Sequence, residues 1–360
     1  MRPLSVCIDT QSLKNNLNIV KKLSPNSKIM AVLKANAYGH GLIECARNLN
    51  PIDGIAVLNL SEAIDLREHG FEHKILLLEG FFDKSEIGIA SRMGIDSVVH
   101  CHEQIEMINQ AKPKKPLNLH LKFNTGMNRL GFSVDDSENL INSLIQNPLI
   151  DEITLMTHFA NADEAVGISD QMNQFHHIQN ELNLERSLAN SAAIIKYPKS
   201  HYEWVRPGIM LYGASPFSGT NASEFKLQHV MSLTSEIIAI QDINAGESVG
   251  YGSSFIAKRK TRVGVVACGY ADGYPRQANS KSPILVNDKK THLLGRVSMD
   301  MLYVDITNIA DAKIGSSVEL WGKNISVDEV AECSGTVGYE LLCAISASKR
   351  VPMRYVDGKK

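Results

Sequence analysis

Cysteine is sparse and scattered. Six fall among 360 residues, at Cys7, Cys45, Cys101, Cys268, Cys333 and Cys343, and no two form a C-x-x-C pair. That spacing fits neither a structural zinc site nor a disulfide framework. It suits a reduced, cytoplasmic protein with free thiols. Charge excess is also missing. The formal net charge is −2 and the pI about 6.6, so no global field favours nucleic acid or an anionic membrane. The opening stretch, 1–10, has no apolar core of a secretory signal. No run approaches the length of a bilayer span, and low-complexity segments are absent. No G-x-G-x-x-G opens a helix, and neither H-x-H nor H-E-x-x-H is expected as a ligand pair. A dinucleotide fold and a metal-dependent barrel hydrolase both lose their usual signatures, and no metal site is expected.

What is present is a soluble composition, 44% hydrophobic and 21% charged, on a chain long enough for two domains. Over about the first 225 residues, strand-like and helix-like segments alternate. Strands are expected at 29–33, 54–58, 74–78, 97–100, 117–123, 153–158, 186–190 and 204–205, with 209–212 completing the series. Helices are expected at 62–69, 102–110, 137–146 and 170–182. Ser61 reads as an N-cap and Gly70 as a C-terminal stop. Such alternation implies parallel strands, and about eight of them suggest a (β/α)8 TIM-like barrel. A doubly wound open sheet is the rival.

After about residue 225 the texture becomes β-rich, with strands expected at 233–240, 262–268, 282–286, 297–306 and 317–321. Helices are expected at 327–331 and 338–347. The fold class is therefore α/β, a barrel at 9–225 followed by a mainly β domain at 226–360. A strand within 1–8 is free to join either.

In a barrel the active site lies at the C-terminal strand ends. Polar residues stand at those places. Lys34 closes the apolar run Ile29–Leu33 and opens Ala-Asn-Ala-Tyr-Gly-His-Gly. A lysine at a buried strand tip either snorkels or is desolvated, and a desolvated amine condenses readily with an aldehyde. Lys122 ends the fifth strand, with Arg129 seven residues on. His158 ends the sixth, Ser191 follows the seventh, and Arg206-Pro207-Gly208-Ile209 lies at the eighth. Loops after strands seven and eight commonly hold phosphate. Ser191 offers a hydroxyl there, and Gly208 and Ile209 offer N–H groups. A phosphate-bearing aldehyde facing a lysine suggests pyridoxal 5'-phosphate (PLP).

The segments AVLKANAYGHG (31–41), NTGMNRLGF (124–132), THFANAD (157–163), NSAA (190–193), RPGIMLYG (206–213), VGYGSSF (249–255), GYADGYPR (269–276), GRVSMD (295–300) and YELLC (339–343) together resemble bacterial alanine racemases, over essentially the whole chain. The resemblance implies a PLP-dependent homodimer that interconverts L- and D-alanine and supplies D-alanine for peptidoglycan. It implies that Lys34 carries PLP and is one of two acid–base residues. Tyr251, reaching in from the partner subunit, is the other.

Further roles follow from the same matching. Arg206 faces the pyridine nitrogen and His158 flanks the ring. Tyr38, Ser191, Gly208, Ile209 and Tyr339 hold the phosphate. Arg129 contacts the cofactor's phenolic oxygen and the substrate carboxylate. Tyr270, Met299 and Asp300 belong to substrate entry and binding, with Met299 also crossing the interface. Lys122 matches a lysine that is often carbamylated, and Asn124 stands where the family pattern has Asp, which removes a charge beside it. Two alternatives remain open: a racemase for larger amino acids, which a small pocket bounded by Tyr251 and Met299 disfavours, and a non-catalytic PLP-binding barrel, which the second domain disfavours.

Overall fold

The computed structural model describes residues 2–178 and 183–358. Strand β1 is Ser5–Asp9 and β2 is Lys28–Val32. Strands β3 (Gly54–Val57), β4 (Lys74–Leu77), β5 (Ile95–Val99), β6 (Leu117–Lys122), β7 (Ile150–Met156), β8 (Glu185–Ser187) and β9 (Trp204–Val205) follow, with helices between most of them. Strands β2 to β9 close into a parallel barrel of eight, sealed where β2 pairs with β9 through Lys28 with Trp204 and Ile29 with Val205. These strands are buried on both faces, as parallel strands covered by helices must be. That is why they read as unbroken apolar runs such as Gly-Ile-Ala-Val and Lys-Ile-Leu-Leu.

The β-rich remainder contains β10 (Met231–Ile243), β11 (Ser248–Val249), β12 (Phe255–Ile256), β13 (Thr261–Val266), β14 (Pro283–Val286), β15 (Lys289–Leu294), β16 (Leu302–Asp305), β17 (Ser317–Trp321) and β18 (Met353–Val356). The pairings β10–β13–β16–β15–β14–β17–β10 run in an antiparallel ring. Strand β10 alternates buried and solvent-facing residues along its first half, the pattern of a sheet with one wet face. β1 lies antiparallel to β10 and parallel to β18, so the two ends of the chain meet as neighbours in this sheet. Contacts divide the chain into two compact units. One is Leu17–Ala37 with Gly41–Gly208, and the other is Met1–Asn16, Tyr38–His40 and Ile209–Lys360.

Several sequence expectations are corrected. Residues 209–212 form a single buried helical turn rather than a strand. Residues 297–301 are loop, and only the end of the expected 297–306 strand, β16, is extended. The helix after β3 is Leu60–Glu68, capped by Asn59 rather than Ser61, with Glu62 Oε2 accepting the N–H groups of Leu58 and Asn59. The helix expected at 170–182 spans Ser169–His176, and the part of that expectation at 179–182 lies outside the described residues. One H-x-H spacing does occur, His100-Cys101-His102. Its imidazoles take separate neighbours: His100 Nε2 meets the Glu79 carbonyl at 3.1 Å, and His102 packs edge-on against Phe132. Among the described residues no helix is long and apolar enough to cross a membrane.

Candidate active site

The chain turns sharply after β2. Ala35, Asn36, Ala37 and Tyr38 all have φ between 51° and 56°, four consecutive non-glycine residues in the left-handed region. Each such residue is strained for an L-amino acid, so the surroundings must hold the turn. Ala37 N–H donates to Leu33 O at 2.7 Å, Gly41 N–H to Asn36 O at 3.0 Å, and Leu42 N–H to Asn36 Oδ1 at 2.8 Å. Asn is among the few residues that tolerate this region and can hydrogen-bond locally while in it. The turn begins at Lys34, so it fixes how the chain leaves the strand that carries the lysine.

Arg206, just past β9, is the most confined cation of the barrel unit. It is 3% exposed. Nη1 donates to Ser187 O at 2.6 Å and to Ser187 Oγ at 2.8 Å. Nη2 donates to Thr157 O at 2.8 Å, to Leu188 O at 3.2 Å and to His158 Nδ1 at 3.3 Å. Its partners among the described residues are carbonyls, a hydroxyl and an imidazole, with no carboxylate. Burial without a counter-charge lowers its pKa to about 10.

Neighbouring groups report the same excess of positive charge. His158 is held well below its usual pKa by burial and then by the charges of Arg206, Lys122, Arg129 and Lys34. Its Nδ1 accepts from Arg206, so the imidazole is neutral with its proton on Nε2. Lys122, buried at the end of β6, is lowered to about 8 by burial and by Arg206 and Arg129, with Glu79 opposing. The structure thus brings Lys34, Lys122, Arg129, His158 and Arg206 within electrostatic reach at the C-terminal strand ends. Four cationic side chains within electrostatic reach of a neutral imidazole, opposed at Lys122 by Glu79, suit an anionic occupant.

Arg129 is carried by the loop after β6. The side chain of Asn124 organises that loop. Its Oδ1 accepts the N–H of Gly126 at 3.1 Å and of Asn128 at 2.9 Å, and its Nδ2 donates to Asn128 Oδ1 at 3.0 Å. Asn124 is therefore engaged with its own loop. Across the barrel, Gly208 N–H donates to Ser191 Oγ at 2.9 Å, joining the loops after β8 and β9. The glycine N–H is spent on Ser191, which differs from an amide left open to an anion.

The other expected site residues lie in the second unit. Tyr38 is buried and its ring stacks on Tyr212 at 4.8 Å, with Tyr339 at 5.9 Å. Burial pushes the Tyr38 phenol upward in pKa, so it stays protonated and a hydrogen-bond donor. Ile209 opens the buried turn that contains Tyr212. Tyr251 sits on the connection between β11 and β12, flanked by Gly250 and Gly252, both at φ 72°, and is 73% exposed. Met299 is 54% and Tyr270 38% exposed. Tyr270 N–H donates to Ser298 O and Ala271 N–H to Met299 O, both at 3.0 Å, tying these two loops together. The Asp300 carboxylate is committed to Arg350 Nη2 at 2.5 Å, and its carbonyl accepts from Arg2 Nη2 at 2.5 Å. Ser187, Thr157, Thr125 and Gln171, which support the buried cations, carried no signal in the sequence.

The fold and site define a class: a parallel eight-stranded barrel with a cationic, anion-seeking pocket at its C-terminal face, followed by a mainly β domain. Family models narrow it further. Residues 8–216 match the alanine racemase N-terminal domain and 230–355 the alanine racemase C-terminal domain. The alanine racemase of Paraburkholderia phytofirmans is 48% identical over 98% of this chain and 99% of its own. That of Nitrosospira multiformis is 48% identical over 96% and 98%. Among solved structures, the biosynthetic alanine racemase of Pseudomonas aeruginosa superimposes with a TM-score of 0.95 at 43% identity, covering 99% of this chain and 100% of that one. The enzyme of Acinetobacter baumannii gives 0.93 at 43%, with the same coverage. The chain belongs to the alanine racemase family and is an isomerase.

Proposed function

We propose that the protein interconverts L- and D-alanine with PLP held on Lys34, and that Lys34 and Tyr251 are the two acid–base groups. The observation that carries this reading is Arg206: a buried guanidinium with no acid among its described partners, within electrostatic reach of Lys122 and His158. An anionic, ring-bearing cofactor offers the missing charge and an acceptor for the arginine. The family membership supports the same conclusion.

When bound, PLP supplies an electron-withdrawing ring that acidifies the Cα–H of the substrate. The protein's own groups do the rest. Lys34 Nζ exchanges the proton on the D face, and the Tyr251 hydroxyl exchanges it on the L face. Two groups are needed because removal and delivery occur on opposite sides. Arg206 would face the pyridine nitrogen and does not readily give up its proton, so it would leave that nitrogen a weak electron sink and disfavour transamination. His158 would flank the ring, and Ser191 and Gly208 are assigned to the phosphate by resemblance, the bond between Gly208 N–H and Ser191 Oγ giving way to it. Tyr38, Ile209 and Tyr339 are assigned to the phosphate by resemblance alone. Arg129 binds the substrate carboxylate.

Residues 9–225 serve as the cofactor barrel, and 226–360 present Tyr251 and Met299 to the site of a partner subunit in a homodimer, with Tyr270 and Asp300 at substrate entry. The exposure of Tyr251 and Met299 supports this. The setting is cytoplasmic, and the product D-alanine goes to peptidoglycan.

Adding PLP to the purified protein is expected to give a visible absorption band. Borohydride should abolish it and leave the label on the peptide containing Lys34. A label confined to another lysine overturns the assignment.

A further inference from the structure

One buried side chain bridges the two loops that carry Arg129 and His158. Gln171 lies on the helix Ser169–His176 and is 6% exposed. Its Oε1 accepts the N–H of Ala160 at 2.7 Å. Its Nε2 donates to the His158 carbonyl at 3.1 Å and to Thr125 Oγ1 at 3.1 Å. Thr125 Oγ1 lies 2.7 Å from Thr157 Oγ1, and the Thr157 hydroxyl donates to Phe123 O at 2.9 Å.

These contacts fix the direction of every hydrogen. Thr157 has given its proton to Phe123, so Thr125 must donate to Thr157. Thr125 Oγ1 then accepts from Gln171. The amide cannot be flipped, because that would set its N–H groups against the N–H of Ala160. The relay ends on the cation already described. The Thr157 carbonyl and His158 Nδ1 are both acceptors of Arg206 Nη2.

We infer that Gln171 is a positioning residue of the active site, fastening the loop 124–132 to the loop 157–160 and so setting Arg129, His158 and Arg206 together. The inference rests on the PLP reading above. Gln171 touches none of the reacting groups. It acts through backbone carbonyls, through one backbone N–H and through a threonine relay that neither loop can complete alone.

Two near-isosteric variants test it. Gln171→Glu keeps the acceptor for Ala160. It sets an oxygen against the His158 carbonyl and draws the Thr125 proton away from Thr157. Thr125→Val removes the relay and keeps the shape. Arg67→Ala is the control for lost stability alone. Arg67 ties Phe71 O, His73 O, Met93 O and Gly94 O together before β4 and β5, at the opposite end of the barrel.

For each protein, kcat and KM for alanine, the PLP dissociation constant from absorbance titration, and Tm are measured. Both loop variants are expected to lose about 10- to 100-fold in kcat/KM, the scale of a small misplacement of catalytic groups, and to bind PLP more weakly. Arg67→Ala is expected to lower Tm with kinetics unchanged. The inference is overturned when both loop variants keep kcat/KM and PLP affinity within about twofold of wild type, or when Arg67→Ala loses as much as they do. A wild-type protein that neither binds PLP nor racemises alanine instead brings down the PLP reading, and this inference with it.

Discussion

At the scale of single residues, the site is governed by buried positive charge. Lys122 shows the consequence most directly. Burial and the charges of Arg206 and Arg129 lower its amine from 10.5 to about 8. Between those two values the unfolded chain binds more protons than the folded one, so this group makes stability rise with pH across that window. Below about pH 8 its penalty is fully present. Replacing it with methionine removes both the charge and the titration. The expected result is that Lys122→Met is more stable than wild type at pH 7, by on the order of 2 kcal/mol, and that the gap closes as pH approaches 10. Urea unfolding at a series of pH values measures it, and a gap that does not change with pH contradicts the account. Such a group was visible in the sequence as a lysine at a strand end. Arg129, 7 positions on, was legible beside it, whereas Arg206, 84 positions away, is near only because the barrel closes.

At the scale of elements, the legible parts were those where burial alone dictates the pattern. Strands β3 and β4 are apolar because helices and barrel interior leave them no wet face, so their runs were read within one residue of their bounds. The stretch Ile209–Tyr212 is equally apolar, yet it forms a buried helical turn. Periodicity cannot separate a short buried turn from a short buried strand. Residues 297–301 misled for a related reason. They look extended, but the backbone of Ser298 and Met299 is committed to Tyr270 and Ala271.

The left-handed turn at 35–38 was not legible at all, since Ala-Asn-Ala-Tyr contains no glycine. Its test is local. Ala35 is exposed, so substitution there reads backbone strain with little packing. Ala35→Val is expected to lower stability by about 1–3 kcal/mol, because a branched side chain fits φ 56° poorly. Ala35→Gly is expected to match wild type or exceed it. Equal thermal melting of the valine and glycine variants contradicts a strained turn.

At the scale of the whole molecule, both chain ends converge on the β-rich unit. β1 and β18 pair side by side. Arg2 forms a two-pronged ion pair with buried Asp272 at 2.6 and 2.8 Å, and Arg350 reaches Asp300. These clasps fix the loops of Tyr270 and Met299, which like Tyr251 are exposed. The central claim is that each active site joins Lys34 of one subunit to Tyr251 of another. Symmetry makes that claim testable without a further structure.

Lys34→Ala and Tyr251→Phe are each expected to abolish racemisation. Mixing the two inactive proteins under conditions of subunit exchange forms heterodimers. In these, one site pairs the intact lysine of one chain with the intact tyrosine of the other. The account predicts that the mixture regains alanine racemisation that neither parent shows. A mixture that stays as inactive as its parents, with heterodimers demonstrated to be present, contradicts it.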